Sequence, residues 1–221
     1  MKLKFSLSLV FLLATWILSA QTFLLPTGFF PGTLHYKNGQ VKNALVAAPK
    51  HSKQKAIVIK SGVKAKREKI PSTFLDSISI TTQKGNAYYF EHLAWATKKG
   101  AKIRKDRWLF PVVKGYTTLY LLTDAFFITN EGNAYIVTSG PANGQVFFYL
   151  IRKKNEKIAL YFGATSSSKG VMRLNIILKK SASLYLSEDK DLVDKIKKKI
   201  LTHRDMEEII TIYNDYMSQK E

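Results

Sequence analysis

Four histidines are the first residues to test for chemistry: His35, His51, His92 and His203. No two of them have the spacing of a helical or hairpin metal site, so the sequence assigns no metal and no cofactor. Glu91 and His92 are adjacent, and on a strand neighbouring side chains point to opposite faces. Two Ser-x-x-Lys pairs, Ser166 with Lys169 and Ser187 with Lys190, have the spacing of a serine–lysine hydrolase. That chemistry needs the serine at a helix start and the lysine one turn on as its base. Ser187 is better explained as an N-cap, and acidic neighbours oppose a lysine acting as a base. Lys60-Ser61-Gly62 imitates a motif of penicillin-binding proteins, but it precedes the serine, and no Ser-Asp-Asn occurs. Gly163 to Gly170 ends Lys169-Gly170, whereas a P-loop needs Gly-Lys followed by Ser or Thr. Asp189, Asp191 and Asp194 lack the glycine and terminal glutamate of a calcium loop and read as helix-start acids. A hydrolase assembled from dispersed residues would have Glu91, His92, Asp124 and Ser139 to draw on.

Positive charge is the stronger signal. The chain has 35 Lys and Arg against 16 Asp and Glu, a net charge of +19. Lys98, Lys99, Lys102, Arg104, Lys105 and Arg107 are packed into one stretch that ends on Trp108. Base next to aromatic suits phosphate contact and stacking, and it suits anionic glycans or lipid headgroups equally. These seven residues are the candidate anion-binding set. Lys50 to Lys69 is a second basic stretch. The competing explanation is that lysines solubilise exposed strand faces.

The elements that must carry these residues read mainly as strands. Thr33–Tyr36 and Val41–Val46 flank Asn38-Gly39, the strongest short hairpin signal. Ala56–Lys60 and Val63–Ile70 flank Ser61-Gly62, and the second arm alternates with a basic outer face. Phe74–Thr81, Ala87–Trp95, Ile103–Phe110, a long run Thr117–Ile128, Ala134–Thr138, Val146–Ile151 and Lys157–Phe162 follow. Turn signals about every eight to twelve residues predict an antiparallel barrel or sandwich of roughly ten strands over residues 21–186. The period then changes. Ser187 reads as an N-cap, acids open the next turn, and Lys195 to Lys199 close it. Leu192, Val193, Ile196 and Ile200 form one apolar stripe, and Met206, Ile209, Ile210, Tyr213, Tyr216 and Met217 another. Two short amphipathic helices over residues 187–221 are expected to pack on the same domain. Thr202 with Asp205 resembles a capping box. The fold class is therefore mainly β (α+β).

Residues 1–20 have the layout of a secretory signal peptide: Lys2 and Lys4, the apolar run Leu7–Leu18, then small Ser19-Ala20. The competing reading is a retained anchor over Phe5–Leu25, since a spanning helix needs roughly 20 apolar residues. Cleavage after Ala20 would remove two lysines and leave a charge of +19 minus 2, or +17. With no cysteine, a disulfide scaffold is excluded. Export points the charge toward anionic envelope polymer or lipid headgroups and away from cytoplasmic nucleic acid.

Several stretches in the second half stand together: Gly115, Leu119-Tyr120, Phe147-Phe148-Tyr149-Leu150, Leu184-Tyr185-Leu186-Ser187, Asp191 to Ile196, and Tyr213-Asn214-Asp215-Tyr216. Over residues 115–216 the chain resembles a group of uncharacterised exported proteins of Bacteroidetes-type bacteria. Leu18-Ser19-Ala20-Gln21 is similar to signal cleavage sites of such bacteria. The resemblance implies location in the periplasm or outside the cell and assigns no catalytic residue. A non-enzymatic exported module that binds an anionic surface or polymer is the leading expectation. An envelope hydrolase, or a structural subunit of an envelope assembly, is the alternative.

Overall fold

The computed structural model describes residues 28–129, 132–138, 145–166 and 173–220. The signal-peptide segment, Ser139 and Lys169 lie outside the described residues. Two strands open the fold, β1 (Phe30–Tyr36) and β2 (Val41–Val46), paired antiparallel with Phe30 opposite Val46 and His35 opposite Val41. Gly39 turns between them at φ +84°, a conformation costly for any residue with a Cβ. Next come β3 (Ala56–Lys60), β4 (Glu68–Pro71), β5 (Leu75–Thr81), β6 (Ala87–Ala96) and β7 (Arg104–Val113). They are followed by β8 (Thr117–Leu122), β9 (Ala125–Ile128), β10 (Ala134–Val137), β11 (Val146–Lys153) and β12 (Ala159–Ser166).

Ten of these strands form one sheet in the order β12-β11-β8-β7-β6-β5-β1-β2-β3-β4. Neighbours pair antiparallel, and β12 makes a further short parallel contact with β6, Ala159 opposite Trp95 and Leu160 opposite Ala96. The pairings β6-β7-β8-β11-β12 thereby return to β6. Each of these five strands contributes one residue to a small cluster of Leu93, Leu109, Tyr120, Leu150 and Ala159. Strands β9 and β10 form a separate two-stranded hairpin.

The mainly β expectation holds, with helices at the C-terminus. Three helices occur among the described residues: α1 (Leu174–Tyr185), α2 (Lys190–Lys197) and α3 (Met206–Ser218). The sequence reading misses α1. Its stripe of Leu174, Leu178, Ala182 and Tyr185 is buried, yet nothing announces its start. Arg173 precedes it with φ +74°, and no side chain caps it. The N-cap of α2 is Asp189, not Ser187; Asp189 Oδ1 accepts from the Leu192 N–H at 3.0 Å. Before α3, Asp205 Oδ2 accepts from the Thr202 N–H at 2.7 Å, but Asp205 is itself the N-cap, so the pair closes a turn ahead of the helix and the expected capping box is not formed.

Two strand expectations change as well. Residues 63–67 stay outside the strands, because β4 pairs with β3 only from Glu68 opposite Ile59 to Pro71 opposite Ala56. Alternation without a neighbour does not make a strand. The run Thr117–Ile128 splits at Thr123-Asp124, sending β8 into the main sheet and β9 into the hairpin.

Two larger cores flank β6 and β7. Leu34, Val46, Ile57, Ile78, Phe90, Trp108 and Phe126 belong to one, built on the N-terminal strands. Leu119, Ile151, Phe162, Leu178, Leu192, Ile196, Ile209 and Tyr213 belong to the other, where the helices cover β8, β11 and β12.

Candidate anion-binding groove

Strand pairing places His92 on β6 directly opposite Trp108 on β7, and their rings pack 4.9 Å apart between centroids. The buried Trp108 indole N–H donates to Ser72 Oγ at 3.0 Å, and that hydroxyl donates to the Gln54 carbonyl at 2.9 Å. These bonds draw the loop between β2 and β3 onto β7. The Trp108 N–H donates to the Ser52 carbonyl at 2.9 Å, and the Ser72 N–H to the Lys55 carbonyl at 2.8 Å. Gln54 locks the loop from within, accepting from the Lys50 N–H at 2.8 Å and donating to the Ala56 carbonyl at 2.7 Å. The result is a groove of about 450 Å³ lined by Lys53, Lys55, Lys105 and Arg107, together with Ser72, His92 and Asp106.

Its floor is unusual. His92 is only 6% exposed, and its Nδ1 has no hydrogen-bond partner. Asp106 Oδ2 lies 3.7 Å from that nitrogen, beyond hydrogen-bond reach, and is held instead by Lys37 Nζ at 2.9 Å. Burial pushes the imidazole below its ordinary pKa, and Asp106 pulls only partly the other way. At neutral pH the ring is uncharged. Four cations thus face a cleft whose single carboxylate is already paired. An anionic oxygen fits this environment, with the Lys and Arg side chains supplying charge-assisted hydrogen bonds.

The predicted set is divided by the fold. Lys105 and Arg107 line the groove. Lys102, Arg104 and Lys105 border a neighbouring hollow of about 420 Å³, and the Arg104 guanidinium lies 4.7 Å over the Trp95 ring. Lys98 and Lys99 sit in the exposed turn before β7, where the Lys99 N–H donates to the Tyr185 hydroxyl at 3.3 Å. Trp108 is not a surface stacking platform. It is 2% exposed and belongs to the core, because its strand position faces the same side as Phe110 and His92. Sequence reasoning missed Lys53, Lys55 and Asp106 as groove residues. The Lys50–Lys69 stretch carries the signal for the first two, but their meeting with β7 is a tertiary event.

On the opposite face of β6, Glu91 enters a different cluster. Its Oε2 accepts from the Tyr120 hydroxyl at 3.0 Å and from Arg152 Nη2 at 2.5 Å. Arg152 also donates to the Tyr120 oxygen through Nε at 3.0 Å. Burial pushes the Glu91 carboxyl above its ordinary value, against the pull of Arg152 and Tyr120. Burial also works against the Arg152 charge, but Tyr120 and Glu91 outweigh it, so the guanidinium stays charged. Glu91 and His92 therefore do not cooperate. No hydrogen bond joins His92 to a serine hydroxyl among the described residues; Ser72 serves Gln54 and Trp108. No group of three or more His, Asp or Glu suited to a metal occurs among them. No helix among them is long and apolar enough to cross a membrane.

Comparison with protein-family models, curated proteins and solved structures finds no match to this chain.

Proposed function

We propose that this chain is an exported, non-enzymatic binding module of the cell envelope that takes anionic groups in the groove between the 50–55 loop and β7. One observation carries the reading. Two basic stretches about fifty residues apart in sequence, Lys53 with Lys55 and Lys105 with Arg107, meet on one cleft whose carboxylate, Asp106, is already held by Lys37. The signal-like first twenty residues support the exported part. The ligand class is a sulfated or phosphorylated polymer or a lipid headgroup, because lysine and arginine recognise such oxygens by charge and hydrogen bonding.

Salt elution from immobilised heparin tests it. Reversing Lys53, Lys55, Lys105 and Arg107 to Glu is expected to weaken retention by at least about tenfold, since each exposed ion pair contributes up to ~1 kcal/mol. Reversing Lys84, Lys157, Lys180 and Lys190, all exposed and away from the groove, changes net charge equally. Equal loss in both variants would mean that bulk charge alone drives binding, and would end the groove assignment.

A further inference from the structure

The β9–β10 hairpin has two unlike faces. Inward, Phe126 meets the Phe90 ring edge-on at 4.7 Å and belongs to the N-terminal core. Outward, Phe127 stands opposite Tyr135, their rings stacked 5.5 Å apart at 10°. Phe127 is 49% exposed, Tyr135 52% and neighbouring Val137 40%. The hairpin rests on β6, where the Tyr88 hydroxyl donates to the Gly132 carbonyl at 3.0 Å, and its cross-strand stack still leaves about half of each ring open to water.

Charge lies beside this face. The Phe126 N–H donates to the Lys50 carbonyl at 2.8 Å, and the Ser52 N–H to the Thr123 carbonyl at 3.4 Å. The loop carrying exposed Lys50, Lys53 and Lys55 is thus bonded directly to the hairpin, and the same loop forms one wall of the groove. A soluble anionic polymer can use the lysines and stack on the rings, but it leaves the exposed Val137 beside them uncovered. A bilayer surface offers both a headgroup layer for cations and an interfacial zone where aromatic side chains settle.

We infer that the outward face of the β9–β10 hairpin, with the lysines of the 50–55 loop beside it, docks onto the interface of an anionic lipid bilayer. This deepens the groove reading by naming its partner, and rests on it for the cationic half.

The test places a reporter on the face itself. Phe127→Trp is mixed with vesicles of phosphatidylcholine alone or with phosphatidylglycerol added. The expected result is a blue-shifted emission, quenched by brominated acyl chains, on the anionic vesicles only. Adding Lys50→Glu and Lys53→Glu should raise the lipid needed for half-shift by at least about fivefold per lysine. Tyr135→Trp is the second reporter, should the first variant misfold. Every comparison uses the full chain and is read as the difference from the unsubstituted chain, whose Trp16, Trp95 and Trp108 also emit, so the apolar residues 7–18 contribute equally to each arm. Unshifted emission on all vesicles overturns the inference, as does an equal shift on phosphatidylcholine alone. An equal shift with soluble heparin overturns it in favour of a polymer. Heparin retention that ignores the groove variant sinks the groove reading separately, whatever the reporter shows.

Discussion

His92 and Glu91 show how far one residue's meaning depends on its face. They are adjacent on β6, yet Glu91 joins Tyr120 and Arg152 while His92 packs on Trp108. Strand alternation makes their separation legible from the sequence; the partners of each are not. The buried imidazole has a consequence for stability. Its folded pKa lies below the ordinary value, so on acidification from neutrality the unfolded chain binds the proton first. Stability present above the unfolded histidine value is lost as pH falls toward the folded one, then levels. His203 is shifted down as well, again chiefly by burial, so the informative quantity is a difference. In urea titrations between about pH 7 and 5, His92→Phe should show a shallower decline than the parent, by at most ~1.4 kcal/mol per pH unit. Identical slopes would mean that His92 takes up its proton equally in both states.

At the scale of elements, the C-terminal helices are fastened to the sheet through a side chain that imitates a strand. Asn214 on α3 accepts from the Thr117 N–H at 2.7 Å and donates to the Thr117 carbonyl at 2.9 Å. Gly115 makes room for it, since a Cβ there would stand 2.4 Å from the Asn214 amide nitrogen. Tyr213 and Tyr216 bind Glu188 ahead of α2, at 2.9 Å to its carboxylate and 2.6 Å to its carbonyl. Asn214→Ala should cost about 1–3 kcal/mol, because Thr117 is a buried position that loses both partners. Gly115→Ala should destabilise in the same range and add little on top of Asn214→Ala, since both break one contact. Chemical denaturation of the two single variants and the double checks this; simple additivity would show that they act apart. The sequence marks α2 by acid-first, base-last order and both α2 and α3 by apolar spacing. It conceals α1, whose burial stripe lacks a capping residue to announce it.

Across the whole molecule, β6 and β7 are shared property. Phe110 and Ile136 pack against both large cores, one built on the N-terminal strands and one on the helices. A wall common to two cores couples their unfolding. Leu34→Ala, in the first core, should lower amide-exchange protection in α3 as well as in β1, with a cost of about 2–5 kcal/mol. Protection lost only around β1 would divide the molecule into separate folding units. The sequence by itself determines the β-rich class, the hairpin at Asn38-Gly39, the helical C-terminus, the charge excess and the absence of disulfides. These depend on local periodicity, turn chemistry and composition. Only the tertiary structure decides that Trp108 is core, that Lys53 and Lys55 meet Lys105 and Arg107, and that Phe127 and Tyr135 face outward beside Lys50. Strand order and sheet curvature set those meetings, and a repeat of two residues along a strand says which positions share a face without saying what that face will touch.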